Sequence, residues 1–208
     1  MRIVVVGANG RTGRQVVEQA LARGHGVTAV ARRRETLPEP RSGLRVATAD
    51  VLDPDAVAAV LADADAVVVA VGVGASRAPT SVYSRGARNL LAGLTPGSAQ
   101  KLVVVSATPV GPRGEQPLLQ RRLVLPLLDR VFGASYDDMR RMEAELRASE
   151  ADWVALRPPR LVDRAATGRY RLDARPLPHA LSISYADLAT ALLDAVDRLS
   201  RTAVYVAS

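Results

Sequence analysis

The stretch RIVVVGANGRTG, residues 2–13, runs an apolar β-branched strand straight into three glycines spaced three apart, Gly7, Gly10 and Gly13. A strand buried on both faces of a parallel sheet reads this way. The following residues change period: over 10–23, Val16, Val17, Ala20 and Leu21 share one helical face, and Arg14, Glu18 and Arg23 lie on the other. Between a strand and a helix each glycine has its own task. Gly7 permits a tight turn, Gly10 lets the backbone approach a pyrophosphate, and Gly13 lets the helix pack closely on the sheet. Unpaired amides at the helix start, with the positive end of its dipole, then face the anion. A Walker A loop would need a Gly-Lys-Ser/Thr ending, which this stretch lacks. The segment therefore predicts a dinucleotide site.

Outward from this unit the alternation continues. Strands are predicted at 2–7, 26–31, 44–49, 65–72, 101–107 and 153–158, with 169–174 and 203–208 as further candidates. Helices are predicted at 10–23, 53–62, about 80–94, 136–149 and 185–198, the last opened by Ser184 and Asp187 in a carboxylate variant of the capping box. The fold class is α/β: a Rossmann-type doubly wound parallel sheet with helices on both faces, one domain over 1–208. The Pro- and Gly-rich stretch from 107 to 135 reads as a loop and helix insertion after the fifth strand, flanking the substrate cleft. Its leucines, Leu123, Leu125, Leu127 and Leu128, either cover the core or form a homodimer contact.

Composition removes several classes. There is no cysteine, so disulfides, thiolate metal sites and cysteine nucleophiles are out, and the two histidines, His25 and His179, leave little for a metal. Apolar runs such as 66–75 fall well short of the roughly 20 residues that span a bilayer. The start of the chain is too briefly apolar for a signal peptide, which leads us to expect a cytoplasmic protein with no membrane partner. The net charge of +7 invites nucleic acid as a partner. Aromatic residues make up only 3%, however, and the basic residues are scattered, with Lys101 the one lysine among arginines. Stacking platforms are scarce and no nucleic-acid-binding motif is present, so nucleic acid is not expected.

The second strand selects the dinucleotide. A carboxylate at its end would accept bonds from the adenosine ribose and favour NAD. The sequence offers Ala31-Arg32-Arg33-Arg34 instead. Guanidinium forks bind a 2′-phosphate with charge-assisted bonds. NADP(H) is the expected cofactor, held by Arg32 and Arg33, with Arg34 turned away; otherwise the three arginines form a solvated turn.

Several segments together resemble a family: GANGRTG (7–13), ADVLDPDAV (49–57), DAVVVAVG (65–72), SRGARNLL (84–91), ALRPPRLVD (155–163) and TGRYRL (167–172). In order and spacing they resemble the atypical short-chain dehydrogenase/reductases with an NAD(P)H-binding domain, and among them the biliverdin reductase B/flavin reductase-like group. The resemblance covers nearly the whole chain. It implies that Gly10, Arg11, Thr12 and Gly13 hold the pyrophosphate, with Gly7 and Asn9 completing the loop, and that Arg32 holds the 2′-phosphate. Asp50 and Val51 would border the adenine, and Val71 and Gly72 would run beneath the nicotinamide half. Ser106 would close the fifth strand near the nicotinamide, with Pro158 and Pro159 supporting it. Asn89 either braces the sheet or satisfies buried backbone groups.

Hydride transfer belongs to the nicotinamide; the protein positions the acceptor and, for a carbonyl, supplies a proton. Short-chain dehydrogenases do the latter with Ser and a Tyr-x-x-x-Lys pair. Here the candidates are Ser106 and Tyr136, with Arg140 in the lysine position, and an arginine cannot relay a proton. Met139, Met142 and Leu146 form the buried stripe of that helix, so that Tyr136 with Arg140 lies on one flank and Arg141 on the other. Either flank could face the cleft. Flavin-reducing relatives do not depend on that tyrosine, and after the Pro-Pro pair, where they often carry a histidine, this chain has Arg160, a cation suited to an anionic or extended planar acceptor. The favoured expectation is an NADPH-dependent reductase of a small planar acceptor such as a flavin or quinone. Two alternatives stay open: a non-catalytic NADP(H) sensor resembling the nitrogen-metabolite repressor regulators, and a carbonyl reductase using Ser106 and Tyr136. A sugar-nucleotide epimerase is disfavoured because the chain is too short for the usual substrate domain.

Overall fold

The computed structural model describes residues 1–208 apart from 75, 76, 96, 117 and 119, and of Gln120 the backbone alone. Eight strands form one sheet: β1 (Arg2–Val6), β2 (Gly26–Ala31), β3 (Leu44–Thr48), β4 (Ala66–Val69), β5 (Lys101–Val105), β6 (Asp152–Arg157), β8 (Arg171–Asp173) and β10 (Thr202–Ala207). Their order is β3-β2-β1-β4-β5-β6-β10-β8, every pairing parallel except that of β8 with β10. Two short strands, β7 (Arg160–Val162) and β9 (Ser182–Ser184), pair in parallel beside it. The expected doubly wound Rossmann-type architecture is present.

Side-chain alternation divides the core. Ile3 and Val5 face α1 (Arg11–Ala22) and α5 (Tyr185–Arg198), where Val16, Val17, Leu188 and Leu192 are buried. Val4 and Val6 face α2 (Pro54–Leu61), α3 (Val82–Gly93) and α4 (Leu125–Ala148), meeting Val57, Leu61, Leu90, Met142 and Leu146. Two covered faces are why these strands read as continuous Val and Ile runs rather than as alternating ones.

The order of strands reverses between β1 and β4, and this is where the ligand crevice of such sheets opens. Val6 is in register with Val30 on one side and Val69 on the other, so Gly7 and Ala70 leave the sheet together, beside Ala31 at the end of β2.

The predicted insertion is reorganised. α4 begins at Leu125 rather than 136, preceded by a π-helical stretch at Gln120–Val124. Pro126 stands in its first turn, where a missing amide costs nothing. Of the leucines, Leu125 is buried, whereas Leu123 and Leu127 are exposed. Residues 117 and 119 of the predicted insertion lie outside the described residues.

Candidate cofactor and acceptor site

The glycine loop is built as its spacing requires. Gly7 has φ +87°, and a Cβ there would lie 2.8 Å from the Ala70 carbonyl. A Cβ on Gly13 would meet the backbone of Gly7 and Ala8, with the Gly7 carbonyl carbon and Ala8 Cα at 2.8 Å. Only hydrogen fits there, so the first turn of α1 lies directly on the end of β1. Gly10 is the N-cap residue of α1 and no side chain caps it. The opening amides of α1 are therefore left for a ligand.

Two clefts meet at this loop. The first, about 460 Å³, is lined by Gly7, Asn9 and Gly10 from the loop, Arg32 and Arg33 beyond β2, Asp50 and Val51 beyond β3, and Val71 and Gly72 beyond β4. The second, about 520 Å³, shares Gly10, Ala70, Val71 and Gly72 with it and continues past Arg11 and Thr12 to Ser106, Tyr136, Pro158 and Pro159. Every sequence-predicted cofactor residue except Gly13, which underpins the loop, lines one of the two. Asn89 donates from Nδ2 to the Val51 carbonyl at 2.9 Å, bracing the first cleft's wall from α3. The Asp50 carboxylate accepts the Leu52 amide at 3.0 Å.

At the charged end of the first cleft the three arginines differ. Arg34 is turned to Glu39 at 3.2 Å and the Pro38 carbonyl at 3.5 Å. Among the described residues Arg33 has only a 3.9 Å contact with Glu35. Arg32, exposed, makes no ion pair or side-chain hydrogen bond among the described residues.

The second cleft is walled by aromatic and imino-acid rings. Phe132 and Tyr136 of α4 stack at 5.9 Å in a tilted pair, and Tyr185, first residue of α5, lies under the Arg11 guanidinium at 5.4 Å. Tyr136 is on the flank facing the cleft. Arg141 is on the other, reaching Asp138 and, at 3.4 Å, the Thr80 carbonyl. The Tyr136 hydroxyl is pushed up to about 12 by burial and by Asp129, which the Arg140 guanidinium only partly offsets. Arg140 itself donates to Asp137 at 2.6 Å and to the Pro109 carbonyl at 2.9 Å. The Ser106 hydroxyl, 2% exposed, donates to Glu143 at 2.8 Å. The Ser106 hydroxyl is thus directed at Glu143, and among the described residues no hydrogen bond joins it to Tyr136, with which it shares the cleft. Arg160 is exposed on β7 and is not among the residues lining either cleft.

Sequence reasoning missed the buried charges that hold the site. Glu143, 1% exposed, accepts from Arg157 Nε at 3.0 Å and from a second Arg157 nitrogen at 2.6 Å, besides Ser106 and Arg147. Arg157 in turn lies 5.2 Å over the Tyr205 ring of β10. Asp138, fully buried, reaches from α4 to the first turn of α3, accepting the Tyr83 amide at 2.8 Å, the Ser84 amide at 3.3 Å and the Ser84 hydroxyl at 2.5 Å. It substitutes for the side-chain cap that Ser81 does not provide. Most of their partners are distant in sequence; the local hints were the Asp138–Arg141 spacing of three and the Glu143–Arg147 spacing of four. The predicted Ser184 cap is present, with its Oγ accepting the Asp187 amide at 3.0 Å. The Asp187 carboxylate points the other way, to the amides of Thr167 and Gly168.

A crevice at the strand-order reversal, a three-glycine turn and an uncapped helix define a dinucleotide-binding protein of the Rossmann class. Residues 7–198 match the family model described as NAD(P)H-binding, and the chain belongs to that NAD(P)H-binding family. Its cofactor is a nicotinamide dinucleotide. It is 30% identical over 192 residues to an uncharacterized chloroplastic protein of Arabidopsis thaliana, covering 88% of this chain and 67% of that one. Among solved structures it superposes on the anaerobilin reductase ChuY of Escherichia coli O157:H7 with a TM-score of 0.80 at 20% identity, covering 100% of this chain and 97% of that one. A candidate NADH-flavin reductase of Streptococcus pneumoniae gives a TM-score of 0.79 at 22% identity, covering 100% and 99%. At such identities the two structures establish the shared fold. Among the described residues no helix is long and apolar enough to cross a membrane, and no group of three or more acidic or histidine side chains could hold a metal.

Proposed function

We propose that this protein is an NADPH-dependent oxidoreductase that reduces a planar acceptor, a flavin, a quinone or a similar conjugated ring system. The observation that carries the reading is the junction of two unlike clefts across Gly10, Ala70, Val71 and Gly72. One ends in Arg32 and Arg33, and the other is walled by Phe132, Tyr136, Tyr185, Pro158 and Pro159. The opening amides of α1 suit the pyrophosphate, and Arg32 has a guanidinium to spare for a 2′-phosphate. When bound, the dihydronicotinamide supplies the hydride. The chain's own work is then to exclude water, stack the acceptor and hold its orientation. Flat aromatic walls suit a flat acceptor better than a small carbonyl. The activities named for ChuY, an anaerobilin reductase, and for the Streptococcus pneumoniae protein, a candidate NADH-flavin reductase, are also reductions.

Arg160, exposed beside the Pro158–Pro159 pair, is then left to attract an anionic acceptor toward the mouth rather than to touch its ring. A sensor that binds NADP(H) without consuming it has one observation in its favour: the protons of Ser106 and Arg140 are already committed within the protein. A spectrophotometric screen of NADPH oxidation with FMN, quinones and small carbonyls separates the two. Acceptor-dependent oxidation with FMN or a quinone supports the reductase; tight NADPH binding with no turnover across the panel supports the sensor and ends the reductase reading.

A further inference from the structure

Four hydroxyl-bearing side chains line the second cleft besides Thr12: Ser106, Tyr136, Tyr185 and Tyr83. The Ser106 hydroxyl donates to Glu143. The Tyr185 hydroxyl faces Arg11 at 3.5 Å, at the phosphate end. Tyr136 has no hydrogen-bonding group of the protein directed at its oxygen among the described residues. Tyr83 differs from all three. It is the second residue of α3, only 7% exposed, and its phenol oxygen accepts the Val73 amide at 3.2 Å. Its own proton has no acceptor among the described residues.

The surroundings hold this phenol in place from both ends. Asp138 binds the Tyr83 and Ser84 amides and fixes the first turn of α3. Val73 belongs to the loop after β4 whose Val71 and Gly72 line both clefts. The phenol oxygen is thus tied to the floor on which the reacting ends of cofactor and acceptor would meet. Burial and the nearby Asp138 carboxylate hold the Tyr83 hydroxyl above its ordinary value, so it stays protonated as a donor, and the Val73 amide directed at its oxygen offsets part of the cost of the phenolate.

Resting on the reductase reading, we propose that Tyr83 is the hydrogen-bond and proton donor to the acceptor. As the acceptor takes up hydride, the Tyr83 O–H bond breaks and its proton passes to the acceptor heteroatom that gains the electron pair. The phenolate left behind keeps the Val73 amide hydrogen bond and regains a proton from water once product leaves. One hydride and one proton are added to the acceptor, and one proton is drawn from solvent.

The test is Tyr83→Phe in the full chain, which keeps the ring and removes one oxygen. Two quantities are read: kcat with NADPH and FMN, and the dissociation constant of oxidised FMN from the NADP+-loaded protein by fluorescence quenching, which needs no turnover. We expect kcat to fall by about 10²-fold or more, the range of positioned general acids. FMN affinity should fall about 5- to 30-fold, the loss of one hydrogen bond of about 1–2 kcal/mol. The NADPH dissociation constant should stay within about threefold. Unchanged FMN affinity, or kcat within about threefold of wild type, overturns the assignment. A wild-type protein that binds FMN without oxidising NADPH would end the reductase reading and with it the proton transfer, while the affinity ratio would still decide whether Tyr83 donates a hydrogen bond to the bound ring. If Tyr83→Phe lowers the melting temperature by more than a few degrees, Tyr83→Trp provides the second variant: its indole N–H can still donate, so retained FMN affinity supports the donor role and a loss equal to that of Phe contradicts it.

Discussion

Substituting Gly13 by alanine tests the link between helix packing and cofactor binding. The added Cβ would stand 2.8 Å from both the Gly7 carbonyl carbon and Ala8 Cα, and nearer still to the Gly7 oxygen. Carbon atoms pack at about 3.5–4.0 Å, so the first turn of α1 must retreat by about 1 Å. All the obstructing atoms are backbone, and no side chain can rotate away. Overpacking of this kind costs about 1–3 kcal/mol. At about 2–4 °C per kcal/mol for a chain of this size, the melting temperature should drop by about 2–12 °C. The same retreat carries the opening amides of α1 off the pyrophosphate, and losing one charge-assisted bond of about 1.5–3 kcal/mol weakens NADPH about 10- to 100-fold. Differential scanning fluorimetry and calorimetric titration read the two effects. Gly24→Ala is the control: Gly24 has φ +79° but nothing within 4 Å of an added Cβ, so it should lose about 1–2 kcal/mol of stability and no affinity. NADPH affinity within threefold of wild type in Gly13→Ala would refute the argument that α1 is seated by this glycine to meet the diphosphate.

Arg32→Glu should weaken NADPH about 10- to 100-fold, again the worth of one charge-assisted bond, while NADH changes less than about threefold; equal losses by fluorescence titration remove the case for the 2′-phosphate. Glu143→Ala strands the buried Arg157 guanidinium and should cost about 3–5 kcal/mol by urea denaturation; a loss under 1 kcal/mol means the ion pair contributes little. Asp187→Asn tests a pH dependence. Burial opposes the Asp187 charge, but hydrogen bonds from Thr167, Ser184 and Gly168 outweigh it and hold the carboxyl below its ordinary value. Because the folded-state pKa is depressed, the stability advantage of wild type over Asp187→Asn should be full above about pH 4 and fade as pH falls through the folded-state pKa. Melting curves between pH 7 and pH 2 that stay a constant distance apart would contradict this.

The sequence made the sheet legible because β1, β2, β4, β5 and β6 are covered on both faces, and such strands leave continuous runs of Val, Ile and Leu that a helix would interrupt. The glycine turn was legible because three requirements, positive φ, close approach and helix seating, fall on residues three apart. The first eleven residues of α4 were not, since Pro126 and Gly133 read as breakers until one sees that Pro126 stands in the opening turn. β7 and β9, three residues each, are too short to leave a period. The wall of the second cleft was half legible. Ser106 and Tyr136 followed from a familiar spacing, but Phe132 sat in a segment read as insertion, and Tyr83 depends on an amide ten residues away. Asp138 and Glu143 look in sequence like ordinary charges on a helix; only the fold turns them inward, where α3 and β6 supply their partners.

The most direct test of the account is a titration of the protein with NADPH, followed by heat and by melting temperature together. Saturation with one NADPH per chain is expected. At a hundred times the dissociation constant, linkage gives about 2.7 kcal/mol of added stability, which at about 2–4 °C per kcal/mol raises the melting point by about 5–11 °C. No heat and no shift at millimolar NADPH would contradict the claim that the Gly7–Gly13 turn and the crevice beside it hold a nicotinamide dinucleotide.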